Sequence, residues 1–272
     1  MRVRIIFGLQ NKGAYVPFHH QYVLAEFLNP YVEEYKRVFG KEEIGELNFS
    51  ALKGQTRVGK DGLHFYSSKV TLVFSSLNLE FVDFLMSRIF SQVQVMVGRL
   101  LLAPLHVDKE VVPEFMEEMK YLCLSPTCIM DPLDETQDTK RFINPVLDQF
   151  SDFLYESTIS RMEKAGYTQE QLASFYKFQL VPDKDYLLKV KGEEKKFARI
   201  FPVFLNNTKY ELRGYTFPFT LYADPEVQKF VFNAGLGYMT RKGFGMLDIA
   251  HSDPNARSIP FEVKRDFRLG SQ

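Results

Sequence analysis

The chain has 272 residues, 45% of them hydrophobic and 25% charged, with 34 basic and 34 acidic side chains. That composition is globular and excludes a low-complexity or disordered protein, and the length suits one large domain or two of ordinary size. Zero net charge excludes a protein that is basic throughout, so a polyanion partner is expected to meet only a local patch.

The N-terminal "RVRIIFGLQ" alternates and carries β-branched residues, which predicts a first strand rather than a signal peptide. After the loop "NKGAYVP", Leu24, Phe27, Leu28, Tyr31 and Tyr35 follow helical spacing from Phe18 onward. Pro30 lacks a backbone donor and disfavours helix at Asn29, so a break or kink is expected there, or a second short helix opened by Pro30. "LNFSALK" and "HFYSSKVTLVFSS" predict strands on either side of a turn region, "GQTRVGKDG". Val82, Leu85, Met86 and Ile89 mark a second helix, and "VMVGRLLLAPLHV" a fourth strand, with Pro104 at a bulge or edge.

That order, β-α-β-β-α-β over residues 1–108, is a ferredoxin-like module. An acidic connector follows, and the order then recurs over residues 118–254. "MKYLCLSPTCIM" is read as a strand. A helix is expected from Pro145 to Gly166, with Asn144 as its cap. "DYLLKVKG", "KKFARIFPVF" and "TKYELRGYTFPFTLYA" are read as strands, Asp224–Asn233 as a short helix capped by Asp224, and "FGMLDIA" as the last strand. The predicted class is therefore α+β, two tandem ferredoxin-like modules. Nothing in the chain is an uncharged apolar run of eighteen residues, so no membrane span is expected. Cys123 and Cys128 read as reduced thiols of a cytoplasmic protein. The five histidines are scattered, and neither a metal nor a cofactor is expected.

Charge is unevenly placed. Asp108–Asp138 holds nine acids against Lys109 and Lys120, while Lys53, Arg57, Lys60 and Lys69 face only Asp61 between Ser50 and Leu79. Between the last helix and last strand lies "GLGYMTRKGFG", residues 235–245, with Arg241 and Lys242 at its tip. A dinucleotide fingerprint needs strand, loop, helix, and a phosphate-binding loop needs Lys after its last glycine. Both fail here. What remains is a loop whose backbone can approach an anion, or one that lets a helix lie close against a sheet.

The pattern G-x-G-x5-G-x-G near the end of a duplicated ferredoxin-like chain resembles the CRISPR-associated endoribonucleases of the RAMP superfamily, which cut precursor CRISPR RNA within each repeat. "LNFSALKG", "KYLCLSP", "FSDFLYESTISRMEKAGY" and "ELRGYTFPFTL" resemble segments of that family in the same order. The resemblance implies metal-independent cleavage by the RNA 2′-hydroxyl, leaving 2′,3′-cyclic phosphate and 5′-hydroxyl ends. The implied partner is CRISPR repeat RNA, bound by a monomer or homodimer. Two other readings stay open: a non-cleaving repeat-binding paralogue, and a subunit that joins others in a CRISPR effector complex. The histidine usual in the family just beyond the first helix is absent, and a tyrosine often found in that helix would fall near Asn29 or Tyr31.

His20, helped by His19 at the start of the first helix, is the replacement proton-transfer candidate; the other reading of His20 is a capping or surface residue. Lys53 is the candidate for stabilising the scissile phosphate. Arg57, Lys60, Gly235, Gly237, Arg241, Lys242, Gly243 and Gly245 are the expected RNA-binding residues. His64 is read as a sheet residue, Tyr31 and Tyr35 as packing on the helix, and Phe65 and Phe74 as core.

Overall fold

The computed structural model describes residues 1–131, 140–192, 197–205 and 208–264. Among them, no helix is long and apolar enough to cross a membrane. The chain divides into two compact units: Met1–Val112 with the segment from Asp253 onward, and Pro113–Ser252.

The first unit runs β1 (Arg2–Leu9), β2 (Tyr15–Val16), α1 (Gln21–Phe39), β3 (Leu47–Phe49), β4 (Thr56–Val58), β5 (Leu63–Phe65), β6 (Lys69–Ser76), α2 (Leu79–Phe90), β7 (Val95–Val97) and β8 (Leu100–Glu110). Its antiparallel sheet has the order β8-β1-β6-β3, the ferredoxin-like arrangement. Alternation along β1 sends Val3, Ile5, Phe7 and Leu9 into the core with Leu24, Leu28, Phe74, Phe81 and Leu85. Arg2 and Arg4 fall on the opposite face. Asn78 caps α2, its Oδ1 accepting the Phe81 N–H at 3.0 Å.

The second unit runs β9 (Glu118–Cys123), β10 (Thr127–Cys128), α3 (Asp148–Lys164), α4 (Gln169–Ser174), β11 (Phe178–Pro182), α5 (Lys184–Gly192), β12 (Ala198–Leu205), β13 (Thr208–Tyr215), β14 (Phe219–Ala223), α6 (Pro225–Ala234) and β15 (Leu247–Ile249). Its main sheet, β11-β14-β9-β15, repeats the same order, and β10-β13-β12 form a smaller one. A last strand, β16 (Ser258–Pro260), pairs with β8 of the first unit. The fold is α+β with tandem ferredoxin-like modules.

Several local expectations are corrected. Helix α1 is a single helix through Pro30. Pro30 and Glu26 share its exposed side, so the carbonyl that loses its i+4 donor faces water. The region read as a turn contains a hairpin, β4–β5, which joins β2 in a three-stranded sheet. "VMVGRLLLAPLHV" is a hairpin, β7–β8, turning at Gly98 and Arg99, with its irregularity opposite Ile6 and Phe7 beside Pro104. Helix α3 begins at Asp148, not Pro145. "DYLLKVKG" is helical because the Asp183 side chain accepts the Tyr186 N–H at 2.7 Å and starts a turn after Pro182. The strand that fills its place is the unforeseen β11. "TKYELRGYTFPFTLYA" divides into β13 and β14. Lys195 and Lys196 of "KKFARIFPVF" lie outside the described residues.

Candidate nucleic-acid interface

The glycine loop closes α6 and leads to β15. Gly235, Gly237, Gly243 and Gly245 all have φ between 76° and 86°, and all four are buried. A Cβ on Gly237 would collide with the Cys128 carbonyl oxygen, and one on Gly245 with that of Leu236. These two glycines are also tied into the loop: Tyr238 N–H donates to Cys128 O at 2.8 Å, Leu236 N–H to Gly245 O at 2.8 Å, and Gly245 N–H to Pro126 O at 2.7 Å. The left-handed backbone and close main-chain contacts therefore supply an intramolecular reason for glycine, different from the RNA approach expected from sequence.

Arg161, on α3, holds the same loop. Its guanidinium donates to the carbonyls of Ala234 at 2.6 Å, Gly235 at 2.9 Å and Gly237 at 3.2 Å, and lies 5.4 Å over the Phe230 ring. A fixed cation at the C-terminal carbonyls of α6 complements the helix dipole. Sequence reasoning missed Arg161, since nothing local marks one helical arginine as reaching a loop seventy residues on. At the tip, a 3-10 turn over Thr240–Lys242 leaves Arg241 exposed and Lys242 half-buried.

In the first unit, His20 is 3% exposed. It occupies the N-cap position of α1 without a side-chain capping bond. Its Nε2 accepts the Leu52 N–H at 3.1 Å, and Nδ1 lies 3.3 Å from the Pro17 carbonyl, which fits a neutral ring with its proton on Nδ1. Burial pushes its pKa from 6.5 down to about 4, against the opposing pull of the Pro17 carbonyl. The expected proton-transfer residue thus has both ring nitrogens engaged. It does, however, clamp the backbone beside Lys53, which continues through reciprocal N–H to O bonds with Thr71, both 2.9 Å. His19 is half-buried, while Lys53, Arg57 and Lys60 are exposed. The structure brings His20 to the Lys53 segment and places Arg57 in the β4–β5 hairpin, with Lys60 in its turn.

Tyr35 is fully buried, its hydroxyl donating to Glu80 at 2.7 Å, and Tyr31 pairs with Phe27 and Gln92, in line with packing roles. Phe65 and Phe74 are core, and His64 lies in β5. Both cysteines are free, and burial raises both thiol pKa values. Among the described residues no three His, Cys, Asp or Glu side chains cluster as a metal site.

The His20 clamp has a pH signature. The unfolded chain takes up this proton near pH 6.5, the folded one only near 4. The stability carried by neutral His20 is therefore whole above pH 6.5 and lost as pH falls toward 4, about 3 kcal/mol in all. In urea unfolding between pH 7 and 4.5, the wild type should lose stability more steeply than His20→Gln. Parallel profiles would mean that the folded ring protonates as freely as the unfolded one.

A sequence model of the family described as CRISPR associated protein Cas6, C-terminal, matches residues 109–249, more than half of the chain. No curated protein matches it. Among solved structures, the chain is similar to a Cas6-related protein from Pyrococcus furiosus, at TM-score 0.74 and 19% identity over 93% of this chain and 99% of that one. It is also similar to a RAMP protein binding different RNA substrates, at 0.73 and 18% over 92% and 100%. A CRISPR associated protein Cas6 matches at 0.72 and 18% over 92% and 99%. At these identities the structures share its tandem ferredoxin-like fold, and the family match over more than half of its residues establishes that the chain belongs to the CRISPR-associated Cas6 family.

Proposed function

We propose that this protein binds CRISPR repeat RNA and cleaves it without a metal ion. Membership of the Cas6 family supports a role in processing or binding CRISPR RNA. The observation that carries the reading to particular residues is the set of cations on ordered backbone: exposed Lys53 beside the His20 clamp, exposed Arg57 and Lys60 on the β4–β5 hairpin, and exposed Arg241 with half-buried Lys242 on the glycine-loop turn.

In the proposed reaction a base removes the proton of the 2′-hydroxyl, whose oxygen attacks the adjacent phosphorus. The bond to the 5′-oxygen breaks, and that oxygen leaves with a proton. The products are a 2′,3′-cyclic phosphate and a 5′-hydroxyl. The RNA supplies its own nucleophile, so alignment and charge do most of the work. Lys53 is assigned to the phosphate, where its ammonium offsets charge that grows in the transition state. His19, on the accessible side of the helix start, is the imidazole assigned to proton transfer. His20 is a positioning residue that fixes Leu52 and so Lys53.

A second reading, a repeat-binding paralogue that does not cleave, is favoured by the engagement of both His20 nitrogens. Repeat RNA incubated with the protein in EDTA separates the two. A cyclic-phosphate product supports cleavage, bound but intact RNA supports the paralogue, and failure to bind repeat RNA removes both.

The loop cations give a further expected result. Arg241→Glu with Lys242→Glu should weaken repeat-RNA binding and flatten its salt dependence, by a slope of roughly 0.7 for each single-strand phosphate that the turn no longer neutralises. Unchanged affinity at every salt concentration would take the RNA away from this turn.

A further inference from the structure

The three-stranded sheet of the first unit carries a row of planar side chains of which only Arg57 has been given a role. Tyr15 of β2 and Arg57 of β4 are both directly opposite His64 of β5. Cross-strand partners share a face, so all three project from one side. The Tyr15 and His64 rings are 5.1 Å apart and 33° from parallel. His64 is held in place by its Nδ1, which donates to the Gly13 carbonyl at 2.8 Å. The Arg99 guanidinium, from the β7–β8 turn, lies 4.7 Å over the Tyr15 ring, and the Arg57 guanidinium 5.0 Å over that of Tyr66. The resulting sequence is Arg99, Tyr15, His64, Arg57, Tyr66: cations and rings interleaved, drawn from four separate segments.

At its Arg99 end the row borders an open depression of about 500 Å³. Tyr15, Tyr22, Phe27, Met96 and Arg99 line it, together with a single carboxylate, Glu26. Met96 is 65% exposed and Tyr66 42%, large apolar groups left in water on an ordered surface. The lining mixes aromatic and apolar side chains with polar groups, Arg99 supplies a cation, and the one acid can accept a hydrogen bond from an amine. A nucleobase matches each of these features: two π faces, an exocyclic amine on its edge, and a phosphate on either side.

We propose that this depression receives one unstacked, amine-bearing base of single-stranded RNA, most favourably adenine. Tyr15 is its stacking platform, Arg99 meets the adjoining phosphate, Glu26 accepts from the exocyclic amine, and the Arg57 end of the row guides the flanking nucleotides. The inference rests on the reading of the protein as RNA-binding and adds to it a base-preferring site within the first unit alone.

The test uses the full chain and fluorescein-labelled RNA octamers: oligoadenylate, oligouridylate, and a strand of the same length that is abasic at every position. Binding is followed by anisotropy, with circular dichroism melts to show that each variant is folded. Wild type should bind oligoadenylate roughly 5- to 100-fold more tightly than the abasic strand, as removal of one stacked base implies. Tyr15→Leu should erase that contrast and Tyr15→Phe keep it. Arg99→Gln should weaken every strand and reduce the salt slope by about 0.7. Glu26→Gln should narrow the preference for adenylate over uridylate. The proposal is overturned if folded Tyr15→Leu retains the contrast, or if wild type binds adenylate and abasic strands alike while still binding repeat RNA. Failure to bind either the octamers or repeat RNA would instead remove the RNA-binding reading and the proposal with it.

Discussion

Gly245→Ala is expected to destabilise the second unit by more than about 4 kcal/mol, a large share of the roughly 5–15 kcal/mol that holds an ordinary domain folded. Two costs add. The residue has φ of 76°, where an L side chain pays roughly 1–2 kcal/mol. The new methyl would also sit on the Leu236 carbonyl, and Leu236 cannot retreat, because its N–H donates to the Gly245 carbonyl itself. Gly166→Ala is the internal control. Its φ is 97°, but nothing lies within 4 Å of the added methyl, so only the conformational cost of about 1 kcal/mol remains. Urea unfolding of the free protein, with no RNA present, reads the difference. If Gly245→Ala is as stable as Gly166→Ala yet fails to hold repeat RNA, the glycine is there for the ligand, and the intramolecular account of the loop is wrong.

This contrast also marks where sequence reading stops. A glycine needed for a left-handed backbone and one needed for ligand approach are the same letter, and only the positions of Cys128 and Leu236 around the loop tell them apart. The modules themselves were legible because their signals are local: alternation in "RVRIIFGL", the spacing of Val82, Leu85, Met86 and Ile89, and Asp224–Pro225 opening α6. The misreadings arose where local signals conflict. Tyr186, Leu188 and Val190 alternate as a strand would, while Asp183 supplies a helix cap, and the cap prevailed. Pro30 signals a break, but its exposed position on a long amphipathic helix makes the missing hydrogen bond tolerable. In the candidate site, the cations Lys53, Arg57, Arg241 and Lys242 could be picked out as local charge. The burial of His20 could not, because its partner Leu52 comes from the segment after β3, 32 residues on. The row of Tyr15, His64 and Arg57 likewise depends on strand register, which a sequence pattern does not carry.

Glu110→Gln should be the corresponding breaking point of the first unit, with an expected loss of about 3–5 kcal/mol. Glu110, at the end of β8, is 1% exposed and ion-paired with Arg2 at 2.8 Å, Arg4 at 2.7 Å and Arg257 at 3.8 Å. The two short ion pairs come from the non-core face of β1; the third comes from the C-terminal segment. A neutral amide would leave three guanidiniums gathered around a site without its anion, and their mutual repulsion is little screened where water is excluded. Arg257→Gln should cost far less, about 1 kcal/mol, because its ion pair is longer and its side chain keeps 13% of its exposure. The same carboxylate helps to hold the returning chain, where Val111 N–H donates to Arg257 O at 2.7 Å and Phe261 N–H to Val107 O at 3.0 Å. Glu110→Gln should therefore speed hydrogen exchange at Val111 and Phe261 before the sheet as a whole opens. Replacing Glu110, Arg2, Arg4 and Arg257 together by apolar residues of similar volume should recover much of the loss, because no charge of the cluster is then left stranded. A Glu110→Gln protein within about 1 kcal/mol of wild type in urea, at both low and high salt, would show that water reaches the cluster and that the arginines do not depend on this carboxylate.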